Sequence, residues 1–352
     1  ILALLRANST SAAPSESSLD KLSNFLIKSA EKQCSYAWAD TVCINKESSA
    51  ELDESIRSMY AWYLDSRICI VYLSETTNYA NMERDPWFTR GWTLQELLAP
   101  RRLAFYSKEW KQITKSDSIK HPIEPIEPTE VVDRRMAKGD MMFWRRIANI
   151  TGIDLNDFLE FKPGVYDIRK RMTWASKRKT TRIEDMAYCL IGIFDVDLSI
   201  AYGEKEKAFY RLQVEILQNS DDISLFDWQR FPSNYNSMLA ASPACFSSPL
   251  GLRKDTSLPA GDDPTFAQTN VGIRIPLAIY PLSLDLWQRF ARNMRRSPTV
   301  FSILGASSEP NHYVLLLLRE REQPRQYERR ALVEAELDIG FAKQAPVVVY
   351  IK

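Results

Sequence analysis

The stretch Trp87-Phe88-Thr89-Arg90-Gly91-Trp92-Thr93-Leu94-Gln95-Glu96-Leu97-Leu98-Ala99-Pro100 gathers a carboxylate, two indoles and a guanidinium in one short span. A turn at Gly91 and a stop at Pro100, whose ring clashes with the preceding turn, predict a helix between them. Leu94, Leu97 and Leu98 would line its buried side, while Glu96, four residues after Trp92, shares a face with that indole. With Arg90 just before the helix, this is the best candidate in the chain for a site acting on a ligand. Most glutamates beside a half-buried tryptophan are merely solvated, so the grouping needs partners and a cleft before it counts as catalytic.

Any enzymatic chemistry here should rest on carboxylates. Only two histidines occur, His121 and His312, and the five cysteines Cys34, Cys43, Cys69, Cys189 and Cys245 form no CxxC pair. Histidine-based hydrolases and mixed histidine–cysteine zinc sites therefore lack material, and no metal site is expected. An odd number of scattered cysteines fits buried thiols in a reducing, cytoplasmic setting. The 46 Lys plus Arg against 45 Asp plus Glu create no global field toward nucleic acid or anionic membrane. The opening Ile1-Leu2-Ala3-Leu4-Leu5 run before Arg6 is too short to span a bilayer, and no transmembrane segment is expected. Nucleotide-binding glycine loops of the GxGxxG and GxxxxGK[ST] types are absent from the sequence.

The elements that must position the candidate residues alternate. Tyr36 to Ala39 is an apolar run compatible with a buried strand. Ser48 to Leu64 is a helix capped at Ser49, with Leu52, Ile56, Met59, Tyr60 and Tyr63 as its apolar stripe. Ile68 to Leu73 and Leu103 to Tyr106 read as further strands on either side of the Trp92 helix. Strand, helix, strand, helix, strand with tight loops describes a parallel sheet covered by helices, whose ligands bind beyond the carboxyl ends of the strands. That rule brings together Asp40, Cys43 and Asn45 after the first strand with Ser74 and Glu75 after the second. The start of the Trp92 helix would lie at the same edge and could attract an anion. Asp40 has a second reading as a carboxylate capping the turn after a strand, and Cys43, between Val42 and Ile44, reads as a small buried hydrophobe.

Before and after this block the texture changes. Residues 1–18 form an N-terminal segment that is partly loop, followed by a helix carrying Leu22, Phe25, Leu26 and Ala30. Prolines space a loop over residues 121–129, and Val131 to Ile150 reads as helical core through Met136, Met141, Met142, Phe143, Trp144, Ile147 and Ile150. The segment Ile168 to Arg182 concentrates positive charge around Trp174, which could hold phosphate or form an acid-paired face, with Thr180 or Thr181 capping the next helix. Helices over 185–193 and 204–219 extend the α/β domain, which is taken to span 19–222. Residues 223–352 form a β-rich module, with strand-like runs at Ile223 to Trp228, Val271 to Ile275, Thr299 to Leu304, Tyr313 to Leu318 and Pro346 to Ile351. Its arginines are mixed with acids, which suits a protein interface or solubility more than a nucleic-acid groove.

Several long motifs together resemble the fungal heterokaryon incompatibility (HET) domain. They are Tyr36-Ala37-Trp38-Ala39-Asp40-Thr41-Val42-Cys43-Ile44-Asn45-Lys46, Ser58-Met59-Tyr60-Ala61-Trp62-Tyr63 and Trp87 through Pro100. The likeness continues through Arg171-Met172-Thr173-Trp174-Ala175, Arg182 through Leu190, Tyr202 through Phe209 and Ser220 through Phe226, covering about residues 20–228. The family's domain looks like a distant relative of Toll/interleukin-1 receptor (TIR) domains, which implies a TIR-like parallel sheet flanked by helices, with helical extensions before the β-rich module. The resemblance implies a role in fungal non-self recognition and programmed cell death. It also implies either NAD cleavage at the nicotinamide ribosidic bond or a non-enzymatic signalling or adaptor module that self-associates or binds a cell-death partner. NAD would be a substrate, and no bound cofactor is implied.

Trp92-Thr93-Leu94-Gln95-Glu96-Leu97 fits the Trp-x-x-x-Glu-Leu pattern of enzymatic relatives, which makes Glu96 the implied catalytic residue. Around it Asp40, Asn45, Ser74, Arg90 and Trp92 would contact the dinucleotide, Arg90 at its pyrophosphate and Trp92 as cleft wall. Two departures stand out. The usual opening Leu-Ser-His-x-Trp-like strand has no counterpart beyond Ile1 to Arg6, and the usual Trp-Ile-Asp appears as Trp38-Ala39-Asp40.

Overall fold

The computed structural model describes residues 16–114, 118–119, 138–252, 265–292, 294, 297–307, 312–337 and 346–352. The expected 121–129 loop, the first turns of the expected 131–150 helix and the Ile1 to Arg6 segment lie outside the described residues. Contacts divide the chain into two compact units, residues 1–162 and 163–352.

The first unit opens with α1 (Glu16–Glu31), followed by α2 (Asp40–Cys43) and α3 (Ser49–Asp65). Ser48, one residue before the expected cap, accepts from the Glu51 amide and starts α3, whose Ile56, Met59 and Tyr60 are buried. Two parallel strands, β1 (Cys69–Tyr72) and β2 (Arg102–Tyr106), flank α4 (Thr93–Leu98) in sequence, and their register runs from Cys69 opposite Leu103 to Tyr72 opposite Tyr106. A short β3 (Ser118–Ile119) adds antiparallel to β2, giving a sheet of three strands in the order β1-β2-β3. α5 (Lys138–Thr151) and α6 (Leu155–Leu159) complete the unit. Their core centres on Phe105, Phe143, Trp144 and Phe158, with Phe105 and Phe143 edge to face at 4.9 Å. Met142, expected inside, is 63 % exposed, because the apolar face of α5 runs through Phe143, Trp144 and Ile147 instead.

The expected first strand is not one. Tyr36 to Ala39 is extended but pairs with no strand, and the chain turns at once into α2. The Ala39 carbonyl accepts from the Val42 and Cys43 amides, and its own amide lies 3.4 Å from the Cys43 sulfur. These bonds commit the backbone to a turn, so no ladder forms there. Among the described residues, parallel pairing in this unit is therefore confined to β1 and β2.

The second unit begins with α7 (Ile168–Ala175), α8 (Asp185–Tyr188), α9 (Ile191–Phe194) and α10 (Lys207–Gln218). Ile223–Phe226, expected as a strand, is a turn of 3-10 helix, because Asp222 caps it by accepting from the Ser224 amide. A sheet of seven strands follows: β4 (Ala267–Thr269), β5 (Gly272–Leu277), β6 (Ile279–Pro281), β7 (Val300–Ala306), β8 (His312–Glu320), β9 (Gln326–Glu336) and β10 (Val347–Ile351). Its order is β4-β5-β10-β9-β8-β7-β6, antiparallel except where β10 runs parallel to β9. A short α11 (Leu284–Leu286) continues into a π-helical turn at Trp287–Ala291 between β6 and β7. The longest strand, β9, went unseen in the sequence because its Glu328, Arg329, Arg330, Glu334 and Glu336 mask the alternation.

The helical part and the sheet of this unit are joined through Arg329 of β9. Its guanidinium is 5 % exposed, donates to the Phe226 and Trp228 carbonyls at 3.0 and 2.6 Å, and stacks 3.6 Å over the Trp228 ring. Burial pushes its pKa down to about 9, with Asp227 and Cys245 pulling the other way, so it stays charged at neutral pH. Residues on both sides of position 222 thus belong to one packed body.

Candidate functional site

Glu96 is held from an unexpected direction. Its carboxylate accepts a 3.0 Å bond from the indole Nε1 of Trp87, not from Trp92. Asp85 makes that possible. Buried to 2 % exposure, it accepts from the amides of Glu75 and Trp87 at 2.9 and 3.1 Å and from the Thr76 hydroxyl at 3.0 Å. One carboxylate thereby ties the loop after β1 to the single 3-10 turn Pro86–Thr89 that carries Trp87. Phe88 and Phe105 clamp the indole edge to face at 5.2 and 5.8 Å. The Thr93 hydroxyl, 2.5 and 2.8 Å from the Trp87 and Arg90 carbonyls, joins this turn to α4.

α4 is six residues long and places Leu94, Leu97 and Leu98 in the core, as the leucine spacing predicts. Trp92 is its half-buried first cap, whose carbonyl accepts from the Gln95 and Glu96 amides. The hydrogen bond to the carboxylate comes from Trp87.

The phenol of Tyr63, near the end of α3, lies within electrostatic reach of Glu96. Tyr63 was expected only as part of an apolar stripe. Burial, and then the neighbouring charge of Glu96, raise its pKa well above the ordinary phenol value. Burial also raises the pKa of Glu96. The Trp87 bond opposes that shift, Asp40 reinforces it, and Arg90 and Lys21 draw it back. The structure therefore brings Asp40 and Arg90 within electrostatic reach of Glu96 and adds Tyr63, Trp87 and Lys21 to its surroundings. Asp40 and Arg90 are exposed while Glu96 is partly covered. A covered carboxylate with charges of both signs around it can face a cationic centre on one side and an anionic group on the other.

Ser74 and Asn45 are placed by other contacts. Ser74 is exposed on the loop after β1, where the organising carboxylate is Asp85. Asn45 makes a local turn, its side-chain oxygen accepting from the Glu47 amide and its own amide donating to Glu51. The group around Glu96 also includes an influence from Cys69, the first residue of β1, on Tyr63. No spacing in the sequence links Trp87 or Tyr63 to Glu96, since both approach it from other elements.

The basic segment 168–182 is largely structural. Arg169 pairs with Asp227 at 3.0 Å, Arg171 donates to the Ile193 carbonyl at 2.6 Å and lies 4.1 Å from the Tyr166 ring, and Arg178 donates to the Trp174 carbonyl at 3.3 Å. Thr180 donates to the Arg182 carbonyl, and the residue at the cap position of α8 is Glu184, neither threonine. Glu184 accepts from the Gly203 and Lys205 amides at 2.8 and 3.0 Å. The Tyr202 hydroxyl donates to Asp185 at 2.8 Å and that of Tyr188 to Glu204 at 2.9 Å, while Arg211 holds Glu204 at 2.7 Å. The paired motifs at 182–190 and 202–209 thus form an internal latch.

None of the five cysteines is in a disulfide. Among the described residues no group of three or more His, Cys, Asp or Glu side chains could hold a metal, and no helix is long and apolar enough to cross a membrane.

Residues 8–85 match the family model described as heterokaryon incompatibility protein (HET). The vegetative incompatibility protein HET-E-1 of Podospora anserina is 39 % identical over 204 residues, a stretch that covers 54 % of this chain and 13 % of that relative. No solved structure matches.

Proposed function

We propose that the chain, whose residues 8–85 match the heterokaryon incompatibility (HET) family model, serves fungal non-self recognition and cell-death signalling by hydrolysing NAD at the nicotinamide ribosidic bond. The observation that carries this reading is Glu96: a partly covered carboxylate bonded by Trp87, with Tyr63, Asp40 and Arg90 in electrostatic reach. In the reaction the bond between the ribose anomeric carbon and the pyridinium nitrogen breaks, and its electron pair leaves with nicotinamide. Water adds to the anomeric carbon and releases a proton, giving ADP-ribose. Positive charge grows on the ribose as the bond opens, and a carboxylate fixed beside it in a poorly hydrated site lowers the barrier. Trp87 holds Glu96 Oε2 in place, which removes reorganisation from the step. Arg90 is suited to the pyrophosphate and Asp40 to a ribose hydroxyl.

The test is nicotinamide release from NAD by concentrated, assembled protein and by its E96Q variant. The expected result is product from the unaltered chain and a loss of 100-fold or more, on the order of a missing charge-stabilising group, in the variant. Equal product from both would refute the assignment. Persistent self-association without any nicotinamide would instead select a TIR-like adaptor that acts by binding copies of itself or a cytoplasmic partner.

A further inference from the structure

The seven-stranded sheet ends at β6, a strand of only three residues, and the helical link from β6 to β7 packs on the apolar face beside that edge. Leu286, Phe290 and Met294 of the link meet Tyr280, Phe301, Leu315 and Leu317 of the sheet there. The packing is incomplete and leaves an open cavity of about 320 Å³. Tyr280 and Phe301, opposite each other in the β6–β7 ladder and stacked with ring centroids 5.3 Å apart, make its floor. Leu286 and Leu337 add apolar sides. The helix beside the cavity is irregular. Ser283 accepts from the Leu286 amide to start α11, which widens at once into the π-helical turn Trp287–Ala291. Such turns are rare and collect at functional sites.

Charge at the mouth narrows the class of ligand. Asp285, Arg289 and Glu336 all line the cavity. Asp285 and Arg289 lie 3.6 Å apart with 73 % and 48 % of their side chains exposed, a pair too loosely held to fix either partner. Glu336 is exposed as well and makes no ion pair or side-chain hydrogen bond among the described residues. Two carboxylates against one guanidinium leave the lining with a net negative charge. A flat apolar ring gains by leaving water for the aromatic floor, and a cationic end on that ring answers the unpaired carboxylate. An anionic end would instead be repelled by Glu336. We propose that this cavity binds a small arylalkylamine, an aromatic ring that carries an ammonium group on a short chain. Its volume stands at the lower end of ligand pockets, roughly 300–1,000 Å³, which suits one ring system and a short chain. The site belongs to the second unit and does not depend on the reading of Glu96.

The experiment uses the whole chain with two probes, tryptamine and indole-3-propionate, which share a ring and carry opposite charges. Calorimetry should find tryptamine the tighter ligand. E336Q should weaken tryptamine about 2- to 5-fold, the size of an exposed ion pair, and E336K should reverse the preference between the probes. Glu336 is exposed at the end of β9, so both variants should keep the circular dichroism of the parent. Hydrogen exchange places the ligand: saturating tryptamine should slow the amides of residues 284–291 and leave those of α4 unchanged. Acetyl-Lys-Trp-amide offers the same ring and charge from a peptide, and should bind more weakly because its backbone has no room in a cavity of this size. Tighter binding of that peptide would overturn the choice of a free amine. Equal affinity for the two indole probes, a preference that E336K leaves unchanged, or tryptamine binding without protection at 284–291 would each overturn the site. Failure of NAD hydrolysis touches none of these outcomes, and failure of tryptamine binding leaves the Glu96 reading intact.

Discussion

The bond from Trp87 to Glu96 can be weighed by a double-mutant cycle of W87F and E96Q. In the parent the bond is 3.0 Å long and ends on a carboxylate, and such charge-assisted bonds contribute about 1.5–3 kcal/mol. In E96Q the amide oxygen still accepts from the indole, but that neutral bond contributes only about 1 kcal/mol. W87F also removes the outer ring from a side chain wedged between Phe88 and Phe105, a packing loss of roughly 1–3 kcal/mol that occurs in both backgrounds and cancels. The coupling that remains should be about 1–2 kcal/mol at neutral pH. Its pH dependence follows from the charge. Burial raises the Glu96 pKa in the folded chain, so the stability tied to its neutral form is complete below the unfolded value of about 4.3 and is lost as pH rises through the folded value. Removing the Trp87 bond, which favours the ionised form, raises the folded pKa further and makes that loss steeper. The coupling should thus vanish near pH ~4 and grow to its full size above the folded pKa. Urea titrations read by pulsed hydrogen exchange at residues 93–98 localise the measurement to α4. A coupling below about 0.3 kcal/mol at every pH, the usual error of such cycles, would refute the reasoning.

Other positions give equally definite outcomes. Asp227 is fully buried, accepts from the amides of Leu250, Gly251 and Leu252 and pairs with Arg169, so D227A should destabilise the second unit by about 3–5 kcal/mol in chemical denaturation. Burial pushes the Glu184 carboxyl up, but bonds from its own amide and those of Gly203 and Lys205 outweigh this and hold it below the usual range. Its stabilisation is therefore present above the unfolded pKa of about 4.3 and lost as pH falls through the lower folded value, and E184Q should flatten that acid limb in urea midpoints measured across pH. Gly272 sits at φ +136°, where an added Cβ would lie 2.5 Å from the Ile351 carbonyl oxygen. G272A should cost at least about 1–3 kcal/mol and speed exchange of the β5 and β10 amides, as strained backbone and a forced strand separation would.

The sequence was most legible where local chemistry decides the structure. Leucine spacing and Pro100 delimit α4, continuous apolar runs mark β1, β2, β7 and β8, and the polar start at Ser48 opens α3 to within a residue. Its failures have a common cause. Tyr36 to Ala39 has strand composition, but a strand exists only with a neighbour, and here the Ala39 carbonyl is taken by the turn into α2. Ile223–Phe226 fails in the same way, its backbone drawn into the Asp222 cap. β9 is hidden because residues such as Arg329 are buried through bonds to carbonyls far along the chain, which no hydropathy pattern records.

The candidate site divides along that line. The sequence alone determined that chemistry here would depend on carboxylates, that Glu96 stands on the open side of a short amphipathic helix, and that Asp40 and Arg90 occur in the motifs nearby. Only the tertiary structure decided that Trp87 holds Glu96 with Tyr63 near it, that Asp85 sets the Trp87 turn, and that Asn45 closes a local turn. Periodicity reports which residues share a face of one element. The pKa and orientation of a carboxylate depend on burial and on donors from other elements, which meet only when the chain has folded.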